Sequence, residues 1–239
     1  MNSLPTTPSN LPLLFAHRGG MALGPENTLA TFQQAVRHGV TGLESDVWLT
    51  ADGIPVLHHG GSVGGFLRRR SIAQIAQTDL PEEIPTLTQL YQLAGNSVEV
   101  SLDVKDPAAV PAVLSLAREF EAIKNLWLCF PHWEEASSWR SLDSDFLLVD
   151  SPGKPLLAGQ HERRAVQLSE AGFDAINMPE TGWTAGHVAL FHRFDLRCFG
   201  WNAQQPRQIE RLMKMRIDGV FSDHPDRLLA AQEKVFSAR

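Results

Sequence analysis

The chain has 239 residues, of which 43% are hydrophobic and 20% are charged, and its formal net charge is −6. This length and apolar content predict one domain of generous size or at most two small ones. The acidic balance argues against nonspecific nucleic-acid binding, which needs a basic surface, and no apolar run approaches the ~20 residues of a membrane span.

Short apolar runs of strand length alternate with stretches of helical periodicity along the chain. The predicted strands are Leu11–Ala16, Gly42–Leu49, Val98–Val104, Leu126–Phe130, Phe146–Val149, Ala175–Asn177, Arg197–Trp201 and Gly219–Ser222. The predicted helices that follow them are Thr28–Val36, Thr86–Leu93, Pro111–Phe120, Glu134–Leu142, Glu162–Ala171, Ala185–His192, Pro206–Met215 and the segment from Pro225 onward. Repeated strand–helix alternation indicates a parallel sheet, and eight units in a chain of this length fit the α/β class and a (β/α)8 TIM barrel.

A doubly wound open sheet is the competing architecture for this alternation. It is disfavoured because His17-Arg18-Gly19-Gly20, which follows the first predicted strand, lacks the G-x-G-x-x-G spacing of a dinucleotide-binding sheet. We therefore expect residues 1–239 to form a single barrel domain.

The segment between the second predicted strand and the second predicted helix is the least regular part of the chain. Asp52-Gly53 predicts a turn that leads into Ile54–His58 as the second arm of a hairpin. Residues 60–83 are then expected to form a loop insertion on the active face. Within it, Phe66 and Leu67 either line a pocket for the alcohol part of a substrate or anchor the loop.

Residues suited to chemistry follow the first predicted strands. Glu44 and Asp46 are two apart on a strand, so their side chains point the same way, about 6–7 Å apart, and can reach one ion. His17 and Arg18 end the first strand, and His58-His59 follows the hairpin. An arginine, imidazoles and paired carboxylates together suit an anionic substrate bound beside a hard divalent cation.

Glu44 and Asp46 could instead form salt bridges on a solvent-facing strand. That alternative is disfavoured in a barrel, whose strands have no solvent face at mid-length, because an unpaired buried carboxylate is costly. Since the site of such a barrel lies at the C-terminal ends of its strands, we expect these residues to meet there.

This cluster resembles the opening motifs of the glycerophosphodiester phosphodiesterase family. The matching pieces, in the order of the family, are His17-Arg18-Gly19, Pro25 to Thr28, Glu44 with Asp46-Val47, and Thr50 through His59. Ser222-Asp223-His224-Pro225 also resembles the closing Thr-Asp-x-Pro of the family. The resemblance implies a TIM barrel, a divalent metal ion (Mg²⁺ or Ca²⁺) and the cleavage of glycerophosphodiesters into glycerol 3-phosphate and an alcohol.

The resemblance and the chemistry of the side chains together predict a role for each site residue. The catalytic pair is His17 and His59, the metal ligands are Glu44, Asp46 and Asp103, the phosphate or substrate contacts are Arg18, Lys105 and Trp201, and the supporting residues are Glu26 and Asn27. A cation and a nearby Arg or Lys offset the charge that builds up on a phosphodiester in the transition state. Two histidines can deprotonate the nucleophile and protonate the leaving alkoxide.

Some positions depart from the family pattern. Asp103 stands where the family has Glu, so its shorter side chain can bind the metal either directly or through a water molecule. Gly60 replaces the Asp that follows the histidine of the family, so another group must orient His59 if it needs orienting. Asn202-Ala203-Gln204 replaces Thr-Val-Asn after Trp201.

Three assignments within the motifs depend on register or on local structure. Counted from Asp52-Gly53, the catalytic histidine falls on His59 and not on His58. Asn27 either braces the site or caps the helix that follows it, and Asp223 is expected to cap the last helix.

Two other functions stay open from the sequence. One is a lysophospholipase D-like phosphodiesterase, whose substrates share the phosphodiester and add an apolar tail. The other is a catalytically silent barrel that keeps the metal and phosphate site for binding. The attacking group also stays open, because either water or the glycerol 2-hydroxyl, through a cyclic phosphate, could displace the alcohol.

The expected partner is a small-molecule glycerophosphodiester, with no nucleic acid and no stable membrane insertion. Cys129 and Cys198 are too few for a disulfide framework, and the first ten residues carry no basic stretch ahead of an apolar one. We therefore expect a soluble cytoplasmic protein, and the sequence indicates no oligomeric state.

Overall fold

The structure is a computed structural model that describes residues 11–65, 69–153, 156 and 159–237. The strands that correspond to the predicted ones, β1 to β8, are Leu13–Ala16, Gly42–Leu49, Glu99–Val104, Leu126–Phe130, Leu147–Asp150, Ala175–Pro179, Arg197–Trp201 and Gly219–Ser222. Helices α1 to α8 follow them at Leu29–His38, Leu87–Ala94, Val110–Glu119, Trp133–Ser137, Gln160–Glu170, Ala185–His192, Pro206–Lys214 and Pro225–Phe236. Each of these elements overlaps its prediction, and the ends agree to within two residues except at α4, which ends at Ser137 and not at Leu142.

The eight strands form one closed parallel barrel. Each strand pairs with the next in the chain, and β1 pairs with both β8 and β2, so the sheet closes on itself. The register places Phe15 opposite Phe221 on β8 and opposite Gly42 on β2. The predicted (β/α)8 barrel is therefore confirmed, and the doubly wound open sheet is wrong.

The lower half of the barrel interior is filled by aromatic rings. The ring of Phe15 stacks on that of Phe221 at 4.4 Å between centroids, and Phe199 meets Trp127 edge-on at 4.9 Å. Gly42 faces this cluster, and a Cβ at that position would lie 2.4 Å from the Phe15 ring. Only glycine fits there, because the barrel leaves no room beside the ring.

The outward-facing side chains of the strands pack against the ring of helices. On β3, Val100, Leu102 and Val104 join this outer core, whereas Ser101 points inward and reaches the Cys129 thiol of β4. This is the alternation that the sequence predicts for the third strand. It leaves Asp103, which follows Ser101 by two residues, on the inner side at the C-terminal end.

The hairpin predicted after β2 is present. Gly53 adopts φ of +80° in the turn, and Pro55–Leu57 runs antiparallel to β2 with Val47 opposite Leu57. The following insertion is anchored by its own apolar cluster, in which Ile72 and Ile75 pack around the buried Val56. Phe66 and Leu67 lie outside the described residues.

The helices begin where the capping pattern places them. Thr28 caps α1 and Thr86 caps α2, each accepting a hydrogen bond from the backbone N–H three residues later. Within the described ranges, no helix combines the length and the apolar character that crossing a membrane requires.

Candidate active site

The segment after β1 turns sharply and points a backbone N–H into the barrel mouth. Arg18 adopts a left-handed conformation with φ of +48°, and Gly19 follows with φ of +82°. This turn lets the Arg18 N–H donate to Glu44 Oε2 at 2.8 Å. A non-glycine residue in this conformation is costly, so a strained backbone position lies next to the predicted metal ligands.

Three carboxylates converge at the C-terminal ends of β2 and β3. Asp46 lies opposite Asp103 in the parallel register, and Glu44 lies two residues before Asp46 on the same side. One oxygen from each of Glu44, Asp46 and Asp103 lies within 4.8 Å of the others. Glu44 and Asp46 are buried, with 5% and 2% of their surface exposed. The structure thus brings together the three residues that the sequence predicts as metal ligands.

The donor set fits a hard divalent cation. Carboxylate oxygens are the protein ligands that Mg²⁺ and Ca²⁺ prefer, and three carboxylates this close, two of them buried, repel one another unless a positive charge lies between them. Burial, with repulsion from Asp46 and Asp103, raises the pKa of Glu44 to about 8 against the pull of His17. Burial also raises the pKa of Asp103, although Lys105 opposes the shift.

Two basic side chains flank the carboxylates. Lys105 Nζ lies 3.0 Å from Asp46 Oδ1 and 3.2 Å from Asp103 Oδ2. The two carboxylates outweigh the burial of this ammonium group and raise the pKa of Lys105. Arg18 Nη1 donates to Glu26 at 2.8 Å, and the buried Nε of Arg18 lies 3.5 Å from Asp46 Oδ2. The guanidinium of Arg18 is therefore held between Glu26 and the acidic cluster.

The imidazole of His17 is held by Asp223, which was predicted to cap the last helix. Its Nδ1 lies 2.6 Å from Asp223 Oδ1, and its Nε2 lies 3.8 Å from Glu44 Oε2. Burial lowers the pKa of His17, but the charge of Glu44 and the hydrogen bond to Asp223 raise it by more, so the net shift of the pKa is upward. The histidine is therefore oriented by one acid and faces the acidic cluster with its other nitrogen.

The prediction that Asp223 caps the last helix is wrong. His224 occupies the N-cap position of α8, and it makes no capping hydrogen bond with its side chain. The backbone N–H of Asp223 donates instead to Gln204 Oε1 at 3.0 Å, and Ser222 Oγ donates to the same oxygen at 3.1 Å. Gln204, one of the residues that depart from the family pattern, thus fixes the turn that presents Asp223 to His17.

His59 lies at the rim of the site. Its Nδ1 is 3.9 Å from Glu26 Oε1, and 45% of its side chain is exposed. Glu26 is also the residue that Arg18 contacts, so one carboxylate bridges the rim histidine and the site arginine. Glu26 is therefore the carboxylate that lies next to His59 in the described structure.

The neighbouring histidine, His58, is held differently. Its backbone N–H donates to Asp46 O, and its Nδ1 accepts from the Gly60 N–H at 3.1 Å. Burial lowers the pKa of His58 against the attraction of Glu26 and Asp46. Both histidines lie near Glu26, so the assignment of His59 as the catalytic histidine depends on its position after Asp52-Gly53.

Asn27 does not cap α1, since Thr28 fills that role. Its Oδ1 accepts from Ser45 Oγ at 2.8 Å, and its Nδ2 lies 3.4 Å from Asp46 Oδ2. Asn27 is 4% exposed and adopts φ of +54°. It therefore braces β2 through Ser45 and lies beside the Asp46 carboxylate, in agreement with the other interpretation of the sequence.

Six of the ten predicted site residues border a cavity of about 600 Å³ at the barrel mouth. Its walls include His17, Arg18, Glu44, Asp103, Lys105 and Trp201 from the predicted set, and Cys129, Pro131, His132, Ser151 and Asn177 from β4 to β6. Trp201 is 39% exposed at the end of β7. Neither histidine of the hairpin borders the cavity among the described lining residues.

The sequence analysis missed two residues at this site. Asp223 follows β8 at an inward-facing position, two residues after Phe221, and that spacing could have placed it in the site. Asn177 lies two residues after the inward-facing Ala175 of β6, and it was treated as the end of a strand. In both cases the inward-facing position on a barrel strand indicates that the residue lies in the site, and the surrounding motif does not.

Comparison of the sequence with known families gives a match to the Glycerophosphoryl diester phosphodiesterase family over residues 17–129. Human glycerophosphodiester phosphodiesterase 1 is 35% identical over 134 residues, which cover 48% of this chain and 38% of the human protein. The chain thus spans well under half of the length of that relative. A glycerophosphodiester phosphodiesterase of Caldanaerobacter subterraneus is 24% identical over 241 residues, covering 91% of this chain and 96% of the relative.

Solved structures share the same fold over nearly the whole chain. A phosphodiesterase of Oleispira antarctica, in complex with the product sn-glycerol-3-phosphate, superposes with a TM-score of 0.80 at 20% identity, covering 93% of this chain and 97% of its own. The glycerophosphodiester phosphodiesterase of Thermotoga maritima gives a TM-score of 0.78 at 20% identity, with 92% and 97% covered. At this identity the likeness establishes the barrel fold.

Proposed function

Because the chain belongs to the glycerophosphoryl diester phosphodiesterase family, we propose that it hydrolyses glycerophosphodiesters to glycerol 3-phosphate and an alcohol. The observation that carries the proposal is the convergence of Glu44, Asp46 and Asp103 beside two basic side chains and His17, of which all but Asp46 line one cavity. Relatives named for this activity, and a fold neighbour bound to sn-glycerol-3-phosphate, support the same substrate class.

Glu44, Asp46 and Asp103 would hold one divalent cation, Mg²⁺ or Ca²⁺. Such an ion supplies positive charge next to the phosphate oxygens and favours the ionised form of a bound hydroxyl or water. Asp103, despite its short side chain, places an oxygen as close to the other carboxylates as they lie to each other, within 4.8 Å. This supports direct binding by Asp103.

Arg18 and Lys105 are the phosphate-binding side chains in this proposal. The guanidinium of Arg18 is positioned by Glu26 and by Asp46, which places its positive charge beside the proposed cation site. Lys105 extends along the carboxylates from the end of β3, so its ammonium lies at the edge of the cation site. Both charges stabilise the dianionic transition state of a phosphodiester. Trp201 would contact the part of the substrate that lies at the mouth.

His17 has the geometry of an acid–base catalyst with a defined proton-transfer atom. The Asp223 carboxylate accepts a hydrogen bond from Nδ1–H, which leaves Nε2 to exchange a proton with the substrate or the nucleophile. The turn at Arg18 and the strand β8 hold the two residues in place. His59 would act as the second proton carrier from the rim, with Glu26 as its acidic neighbour.

A substrate screen tests the proposed activity. Purified protein is stripped of metal and assayed on glycerophosphocholine, glycerophosphoethanolamine and lysophosphatidylcholine, with Mg²⁺ or Ca²⁺ restored. We expect hydrolysis of a glycerophosphodiester only with a divalent cation. Preference for the acylated substrate would indicate the lysophospholipase D-like activity. Retained ligand binding with no detectable rate would indicate the silent barrel.

A pair of adjacent variants tests which hairpin histidine acts. His59→Ala is expected to lower kcat by about 10²–10⁴-fold, the usual contribution of a general acid or base. His58→Ala is the matched control, one residue away, and should keep most of the activity. If the two results are exchanged, the register assignment of the catalytic histidine is wrong.

The remaining assignments follow from this function. We place the insertion at residues 60–83 on the active face, since it connects the C-terminal end of β2 to α2. Residues 1–239 would then act as one catalytic barrel domain on small-molecule substrates in the cytoplasm. Fractionation of the producing cells, with activity followed in each fraction, tests the location.

A further inference from the structure

Asn177 is a buried amide that the catalytic proposal leaves unexplained. It lies on β6 at an inward-facing position, with 6% of its surface exposed, and it borders the cavity. Its buried Oδ1 has no hydrogen-bond partner in the described structure. Leaving a buried polar group unpaired costs about 1–3 kcal/mol, so such a group in a pocket wall points to a ligand that satisfies it.

The cavity wall around Asn177 differs in charge from the opposite wall. The acidic and the Lys or Arg side chains that border the cavity come from β1 to β3 or directly follow them. The wall from β4 to β7 presents the Cys129 thiol, Ser151, Asn177 and Trp201, with His132 at the mouth. A phosphate belongs to the charged side, and the neutral side suits an uncharged polar group.

We propose that Asn177 binds a hydroxyl group of the glycerol part of the substrate and thereby selects for glycerol over simple alkyl groups. A carboxamide can both donate to and accept from a hydroxyl, which makes it suited to an uncharged polyol. This inference rests on the proposed phosphodiesterase function, which brings a glycerol phosphate into the cavity.

The depth of Asn177 assigns it to glycerol and not to the alcohol. Every glycerophosphodiester carries the same small glycerol group, whereas the alcohol varies in size. A deep, enclosed position accommodates a constant group, and Asn177 is buried where Trp201 at the mouth is 39% exposed. A site built to hydrogen-bond a hydroxyl rejects an analogue without it, because the buried polar group is then left unpaired.

Calorimetric titration separates this role from general support of the site. The metal-loaded protein is titrated with sn-glycerol 3-phosphate and with n-propyl phosphate, which has the same phosphate and carbon chain but lacks both hydroxyls. We expect the wild type to bind glycerol 3-phosphate about tenfold more tightly, and Asn177→Ala to reduce this difference to about twofold. Affinity for n-propyl phosphate should change little in the variant.

Cys129→Ala is the matched control, since it truncates another side chain of the same neutral wall and should keep the tenfold difference. Asn177→Ser is the second variant, in case the alanine protein does not fold, and it should also narrow the difference because its hydroxyl is shorter. Equal loss of affinity for both ligands in the Asn177 variants, or no difference in the wild type, overturns the inference.

The same titration distinguishes this inference from the proposed function. If the wild type hydrolyses glycerophosphodiesters but shows no preference for glycerol 3-phosphate over n-propyl phosphate, the function stands and the role of Asn177 is wrong. If it hydrolyses none of them but shows a preference that depends on Asn177, the glycerol site stands and the enzymatic proposal fails.

Discussion

The upper and lower layers of the barrel interior use the same strands for opposite purposes. Phe15 on β1 belongs to the aromatic floor, and His17, two residues later, belongs to the site. On β8, Phe221 is followed in the same way by Asp223. One inward-facing step, about 6–7 Å along a strand, thus separates close-packed rings from ionisable groups.

The difference shows what the floor provides for the site. The rings below the carboxylates pack against one another, and the polar Nε1 of Trp127 in this layer is hydrogen-bonded to Glu99. Burial against this floor is the main cause of the raised pKa of Glu44, which reaches about 8. An apolar lower layer therefore strengthens every charge interaction in the upper layer.

The largest expected effect is a loss of activity, without a loss of stability, when His17 is substituted. His17→Ala should lower kcat by about 10²–10⁴-fold, because it removes the proton-transfer atom, while the thermal midpoint of unfolding stays close to that of the wild type. Steady-state kinetics and thermal unfolding of the same preparation check this. His38→Ala, at the exposed end of α1, serves as the control. Near-normal kcat in His17→Ala would remove His17 from the mechanism.

A substitution in the aromatic floor should have the opposite effect, a loss of stability. Phe199→Ala should lower the free energy of unfolding by about 3–5 kcal/mol, because its ring contacts those of Phe15, Trp127 and Phe221 and leaves a cavity when removed. Urea denaturation measures the change. Leu142→Ala, at a residue that is 54% exposed, should change it by less than about 0.5 kcal/mol. A small effect at Phe199 would mean that the floor is not close-packed.

Asp223 tests whether the upper layer depends on orientation as well as charge. Asp223→Asn should lower kcat by about 10- to 100-fold with little change in KM, because His17 loses the acceptor that fixes its ring. Asp226→Asn, in the first turn of α8, is the control and should keep full activity. An unchanged kcat in Asp223→Asn would show that His17 needs no orienting acid.

Asp223 also shows where sequence reasoning stopped. The barrel, the order of its strands and the convergence of the three acids follow from local periodicity and from motif order, so they could be predicted. The partner of His17 could not, because Asp223 lies 206 residues away in the chain and meets it only when β8 closes against β1. The spacing from Phe221 indicates only that Asp223 faces inward, and the helix-capping pattern at this residue was misleading.

Asn177 and Gln204 illustrate the same limit. The neutral wall forms because the ends of β4 to β6 lie across the barrel from the charged residues. The spacing of residues within one strand does not predict which residues lie across from them. Gln204 departs from the family pattern, and no role was predicted for it from the sequence. In the fold it supports the turn at Asp223 through Oε1. Long-range contacts of this kind decide roles that a motif leaves open.

Because the carboxylates of the upper layer repel one another, removing one of them should stabilise the metal-free protein and weaken metal binding. Glu44→Gln should raise the free energy of unfolding of the metal-free protein by about 1–2 kcal/mol, because it removes a buried carboxylate that is crowded by two others. The increase in thermal midpoint on addition of Mg²⁺ or Ca²⁺ should shrink in the same variant. Glu99→Gln is the control from the lower end, where Glu99 accepts from Trp127 Nε1, and it should keep the metal-induced shift. A full shift in Glu44→Gln would exclude Glu44 as a ligand.

The smallest expected effect lies outside the floor, where His192 on α6 contacts Asp218 just before β8. His192 Nε2 is 2.7 Å from Asp218 Oδ2, and this hydrogen bond, against the effect of burial, raises the pKa of His192 above its usual 6.5. A raised pKa in the folded state means that the pair stabilises the protein fully below pH 6.5 and loses this contribution as the pH rises through the folded pKa.

Both side chains of this pair are about one third exposed, so solvent screening limits the contribution to less than about 1 kcal/mol. His192→Gln should therefore lower the free energy of unfolding more at pH 5.5 than at pH 8.5, as measured by urea denaturation at both values. Activity should be unchanged, because this pair lies at the end of the barrel opposite the cavity. An equal loss of stability at both pH values would show that His192 contributes through packing alone, and that ionic contacts matter only in the upper layer.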